Sequence, residues 1–274
     1  MYRESNLSIL HLSDIHVDYR DVDSNGVSIY EKWDSLLLEI KQKKIEFDFV
    51  VISGDIIFYS DKKKNFRVTK QLLDKLLKTI NLSNDRLIVC IGNHDIFFSD
   101  ITDTPQFDFS SKYKEMAEDF IIFYSHYSLV ADQIYSIKEF GDTTFLILNG
   151  LYNFKDEMFY YDDKCIEKIL EEFKKISSKY KFIVNHSGLE FINSDILKNF
   201  MKKEDIFLLC GHKGSNIKSG LYKTESLPKE LISYSKEGFI DENLKYNIYD
   251  FSTSTATISF LSYTPSIWSV LRER

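Results

Sequence analysis

The chain has 274 residues, of which 43% are hydrophobic and 28% charged, with a net charge of −7 and a pI of about 5.5. The apolar share is enough for a sizeable core, and the length permits one large domain or two small ones. The acidic balance speaks against a general nucleic-acid binder, which carries a basic footprint, and no run approaches the ~20 apolar residues of a membrane span.

Leu7 to Ser13 is a short apolar run that fits a buried strand. Trp33, Leu36, Leu37 and Ile40 then recur at helical spacing, which predicts an amphipathic helix. Asp48 to Ser53 reads as a second buried strand. The spacing of Leu72, Leu73, Leu76 and Leu77 predicts a helix over about 66–80, and Arg86 to Ile91 a third strand. This β-α-β-α-β order argues for a parallel sheet with right-handed crossovers. Residues 99–115 have no clear period and read as an exposed loop or small cap, followed by a helix over about 113–131. Strands are expected near 133–139 and 143–149, a charged helix over about 162–179, and strands at Lys181 to Asn185 and Ile206 to Cys210. The tail from Tyr246 to Ser262 alternates as an antiparallel pair would. The three cysteines, Cys90, Cys165 and Cys210, are odd in number and read as reduced thiols of a cytoplasmic protein. The opening MYRESNLSIL lacks the cationic start and apolar stretch of a secretory signal.

Ligand-type residues follow five of these apolar runs. They are Asp14 and His16, then Gly54-Asp55, then Gly92-Asn93-His94-Asp95, then His186, then Gly211-His212. Ligands of open α/β sheets gather outside the carboxyl ends of strands, so these residues are placed to converge on one rim. Carboxylate, imidazole and amide oxygen suit Mn, Fe or Zn, and no cysteine in the set invites a softer ion. Taken singly, each has an ordinary structural explanation: Asp14 as a helix cap, Asp55 as turn chemistry, Asn93 as a left-handed turn residue. Taken together, four of the six histidines fall in this set, which five independent accidents explain poorly. His11 lies inside the first strand and reads as a core histidine.

The ordered signatures D-x-H, G-D, G-N-H-D, a lone His and G-H resemble those of the calcineurin-like metallophosphoesterases, from about residue 8 to about residue 263. The resemblance implies a single α/β domain over residues 1–274, a four-layer α/β/β/α sandwich, with a cap or loop insertion at about 99–130. It implies two divalent metal ions, manganese first, with iron or zinc as alternatives. Asp14, His16 and Asp55 would hold the first ion, and Asp55 would bridge to a second held also by Asn93, His186 and His212. His94 would serve the leaving group and Asp95 would orient the His94 ring. The family's final His falls at Gly214, which predicts a weaker first site. Lys213, beside it, is either a phosphate contact or a solvated lysine.

The implied activity is metal-dependent hydrolysis of a small phosphoester, of the diester or nucleotide kind, by a metal-activated water. A nuclease acting on DNA or RNA uses the same chemistry, with Lys62-Lys63-Lys64 and Arg67 as the obvious basic cluster near a motif. A non-catalytic binding module on the same scaffold is the alternative from another class, motivated by Gly214 and opposed by the presence of His94. The chain also reads as a candidate module of a larger protein.

Overall fold

The computed structural model of the chain describes residues 7–20, 27–58, 62–96, 122–123, 135–149, 153–155, 158–212, 220–223, 230–233, 245–251 and 255–262. Two large sheets carry the fold. In the first, β1 (Leu7–Leu12), β2 (Phe49–Ser53) and β3 (Leu87–Cys90) run parallel, and β13 (Lys245–Phe251), β14 (Thr255–Ser262) and β11 (Gly220–Lys223) extend the sheet from β1 by antiparallel pairing. In the second, β5 (Thr143–Leu148), β8 (Tyr180–Val184), β10 (Phe207–Cys210) and β12 (Glu230–Ile232) are parallel, with β4 (Tyr135–Phe140) antiparallel at the edge. A small third sheet joins β6 (Asn153–Lys155), β7 (Met158–Tyr160) and β9 (Ile192–Asn193).

Strands covered on both faces need continuous apolar runs, and β1, β2, β3, β5 and β10 are buried at every residue. Phenylalanines join the two sheets. Phe49 of β2 meets Phe145 of β5 with ring centroids 4.9 Å apart, and Phe182 of β8 meets Phe251 of β13 at 5.6 Å. These edge-on contacts suit the ring quadrupole and account for part of the chain's 22 Phe.

Helix α1 (Ile29–Lys43) begins at a capping box, in which Ser28 and Glu31 satisfy each other's backbone N–H, and stops at Lys44 in a left-handed conformation. It buries Trp33, Leu36, Leu37 and Ile40, and the Trp33 indole donates to Leu72 O of α2 (Lys62–Thr79) at 2.8 Å. A single turn, α3 (Asn93–Ile96), follows β3. Helices α4 (Asp163–Lys175) and α5 (Asp195–Lys203) pack on one another in the second half, each started by a side-chain cap, Asp162 and Ser194. Two sheets face to face with helix pairs from each half give the α/β/β/α sandwich.

Helix α4 ends at Lys175 rather than near 179, because Ile176 turns extended and closes the last turn on Phe173 O. Of the 99–130 segment, only Ile122 and Phe123 are described; Phe123 is buried against Phe66 of α2 at 5.0 Å. The rest of that segment, with Lys213 and Gly214, lies outside the described residues.

Candidate metal centre

The site forms where β1, β2, β3, β8 and β10 end. Beyond the last β1 residue, the chain stays zipped to the stretch after β2. Asp14 N donates to Gly54 O (3.1 Å), His16 N to Asp55 O (3.0 Å) and Val17 N to Ile56 O (2.8 Å). Within this ribbon Asp14 (φ 53), His16 (φ 50) and Asp55 (φ 51) take left-handed backbone, as does His212 (φ 69) after β10. Such a conformation costs a non-glycine residue roughly 1–2 kcal/mol. Four of the six non-glycine residues with positive φ among the described residues are candidate ligands. Backbone strain concentrated this way belongs to sites where geometry outranks stability.

Tight approach makes glycine necessary at two positions. A Cβ on Gly92 would lie 2.1 Å from both the backbone N and the Oδ1 of Asp55, and one on Gly211 would lie 2.4 Å from Asp14 Oδ2. Neither loop could close on its carboxylate with a larger residue.

Asp55 is the hub. Its Oδ2 is 3.2 Å from His16 Nε2, 3.2 Å from His186 Nε2 and 3.9 Å from His94 Nε2. Its Oδ1 accepts from the His94 backbone N–H at 2.8 Å, which fixes the carboxylate plane. His186 points Nε2 at Asn93 Oδ1 (3.1 Å), while Nδ1 is 2.7 Å from Ser53 O. That carbonyl can only accept, so Nδ1 carries the proton and Nε2 is the nitrogen that would ligate a metal. His212 lies edge-on to His186 at 5.0 Å, with Phe191 against its other side at 5.6 Å. Asp14 Oδ2 accepts from Ser13 Oγ (2.6 Å) and from His212 N (3.0 Å), tying the ends of β1 and β10 together. All six residues expected as ligands are therefore brought to one rim.

Among the described residues, two groups of donor atoms stand close enough to share an ion, His16–Asp55–His94 and Asp55–His186–His212, with the atoms of each within 4.8 Å of one another. Asp55 belongs to both. The first group differs from the expected Asp14–His16–Asp55 set: His94 turns its ring beside His16, centroids 4.5 Å apart, and stacks on Phe58 at 5.7 Å. Asp95 also stands elsewhere than its expected place beside the His94 ring. It is fully buried, its Oδ1 accepts from Ile56 N (2.9 Å) and Ile57 N (3.1 Å), and its Oδ2 accepts from Gly92 N (2.9 Å). It clasps the loop after β2 to the turn after β3. Spacing alone cannot show which amides surround a carboxylate, and the roles of Ser13 and Ser53 were equally invisible in the sequence.

Burial and mutual charge dominate the electrostatics. Burial drives Asp14 up to about 6, with Asp55 adding to the rise and His186 and His16 opposing it. Burial alone would lower His186, yet the Asp55 and Asp14 carboxylates and the Ser53 carbonyl together outweigh it and lift the imidazole to about 9. Asp55 itself is held well below the carboxylate range: burial would raise it, but His186 and His94 overcome that. So much buried carboxylate and imidazole is stable only when compensated, and divalent cations compensate it in the same place. The donors are oxygen and imidazole nitrogen, and Cys90 and Cys210 stay buried in their strands as free thiols. This set fits hard or borderline divalent ions.

The calcineurin-like phosphoesterase family model matches residues 7–215, and the chain belongs to that family. An 89-residue stretch is 29% identical to the uncharacterized metallophosphoesterase-like protein YydB of Bacillus subtilis (strain 168), covering 32% of this chain and 17% of that protein. Among solved structures, a Staphylococcus aureus protein assigned as a 5′-nucleotidase, solved with α-ketoglutarate, superposes with a TM-score of 0.53 at 13% identity, covering 95% of this chain and 55% of that one. The purple acid phosphatase PPD1 from yellow lupin (Lupinus luteus) seeds gives 0.54 at 12% identity, covering 95% and 52%. The chain thus spans about half the length of these two proteins. At such identities the likeness concerns the fold. No helix among the described residues is long and apolar enough to cross a membrane.

Proposed function

We propose that the chain hydrolyses a phosphoester, of the phosphodiester or nucleotide kind, and that the residues around Asp55 would hold two divalent ions that would activate the attacking water. The observation that carries this reading is the position of Asp55, whose Oδ2 is 3.2 Å from the Nε2 atoms of both His16 and His186 and which belongs to both donor groups. Asp14, His16 and Asp55 would hold one ion, and Asp55, Asn93, His186 and His212 the other. Two such ions supply a water of lowered pKa and neutralise the phosphoryl oxygens. The protein's own groups do the rest. Asp55 keeps one orientation because its Oδ1 is tied to the His94 N–H. His186 keeps one tautomer because its Nδ1–H is spent on Ser53 O. The His94 ring, packed against His16 and Phe58, delivers a proton to the departing oxygen. Asp95 serves that step at one remove, by fixing the turn from which His94 projects.

We read residues 1–274 as one domain, working in the cytoplasm with manganese. Three free cysteines fit a reducing compartment. A nuclease would share the centre, but the net charge of −7 disfavours capture of a polyanion. A panel of aryl monoesters, diesters, cyclic nucleotides and nucleic acids with added manganese tests the reading. Turnover of small diesters or nucleotides above that of nucleic acid supports it. Preferential strand cleavage would replace it with the nuclease, and no turnover at all with a binding module.

A further inference from the structure

Beneath the centre, a line of buried polar groups crosses the first sheet. His11, fully buried one residue before the end of β1, has Nε2 2.9 Å from Ser53 Oγ on one side and Nδ1 3.3 Å from Tyr249 OH on the other. The Tyr249 hydroxyl is in turn held by Asn247 Nδ2 at 2.8 Å. Such groups are costly in a sheet interior unless each is satisfied, and an apolar side chain at position 11 would pack there at no such cost.

The purpose of the line lies at its far end. Ser53 is the last residue of β2, and its carbonyl receives His186 Nδ1 at 2.7 Å. The same carbonyl is 3.1 Å from Ser13 Oγ, the hydroxyl that bonds Asp14 Oδ2. The next residue, Gly54, has φ 92 and so sets no restraint of its own on the preceding peptide. Ser53 is held on its backbone side by pairing with Cys90 of β3, and its side chain, held by His11, adds a second restraint on the same residue.

We infer that His11 is a positioning residue for the metal centre, acting through Ser53 to fix the carbonyl that aims His186 and, through Ser13, Asp14. The inference rests on the two-metal reading and extends it to a side chain that touches neither metal nor substrate. Outer partners of metal-bound histidine commonly change metal affinity by about 10- to 100-fold when removed. His11 stands one bond further out, so the lower end applies.

The test is a cobalt(II) titration of the metal-stripped full chain, read by the visible ligand-field bands, with folding of every variant checked by thermal melting. Ser53→Ala, which keeps the carbonyl but loses the hydroxyl, is expected to weaken cobalt binding about 10-fold and to alter the bands. His11→Leu should do the same, His11→Gln should recover much of the loss, and the double variant should be no worse than either single one. If His11→Leu fails to fold, Ser53→Ala decides alone. Unchanged affinity and bands in folded Ser53→Ala, or fully additive losses in the double variant, would overturn the inference while leaving the metal centre standing. No cobalt binding by the unmodified chain would overturn both.

Discussion

His94 and Asp95 are neighbours in the chain but stand in different surroundings. The His94 ring is half-buried at the rim against His16 and Phe58, whereas the Asp95 carboxylate is enclosed and meets three backbone amides. His94→Ala is expected to lower turnover by about 100- to 10,000-fold with bound metal unchanged, since proton delivery is lost and the ligands stay. Elemental analysis of the folded variant checks this; loss of one ion would instead make His94 a ligand, as its 3.9 Å approach to Asp55 permits. Asp95→Asn replaces one acceptor oxygen with a donor facing amide donors. It should cost about 1–3 kcal/mol of stability, seen in denaturant unfolding, and lower activity with it. At this scale the clustering of the candidate residues was legible because carboxylate, imidazole and amide types recur after successive strands. The job of Asp95 was not, because a carboxylate beside a histidine in sequence can face either the ring or the backbone.

The elements that were easiest to foresee are those that aim the site. β1, β2, β3, β8 and β10 are short, mainly apolar runs, and their ends became the rim. The hairpin of β6 and β7, the two-residue β9 and the nine-residue α5 escaped notice. Each is too short to show a period, and each is held by partners distant in sequence. The sharpest constraint lies where the turn after β3 approaches Asp55. Gly92→Ala would place a methyl 2.1 Å from the Asp55 amide nitrogen and carboxylate, so one loop must withdraw. The expected result is loss of metal binding out of proportion to the loss of stability, because the sheet below is untouched. Equal metal affinity in the variant would show that the loops have slack.

For the molecule as a whole, the buried His11 predicts how stability depends on pH. Burial lowers its imidazole from 6.5 to about 3 in the folded chain, so between those values the unfolded chain binds a proton that the folded chain refuses. Stability is therefore complete above about pH 6.5 and falls as the pH drops toward 3, by on the order of a few kcal/mol from this residue. Thermal melts of the unmodified chain and of His11→Gln across that range check it, the variant showing the shallower decline. The architecture was legible from strand order and motif order together, while residues 99–130 lie largely outside the described structure and leave substrate choice to experiment. The central claim is that the residues gathered around Asp55 would hold the divalent ions on which phosphoester hydrolysis depends. Titration of the metal-stripped chain with manganese, following hydrolysis of an aryl phosphodiester, tests it most directly. The account predicts a rate that starts at background, rises with manganese and saturates; full activity in the thoroughly chelated protein would contradict it.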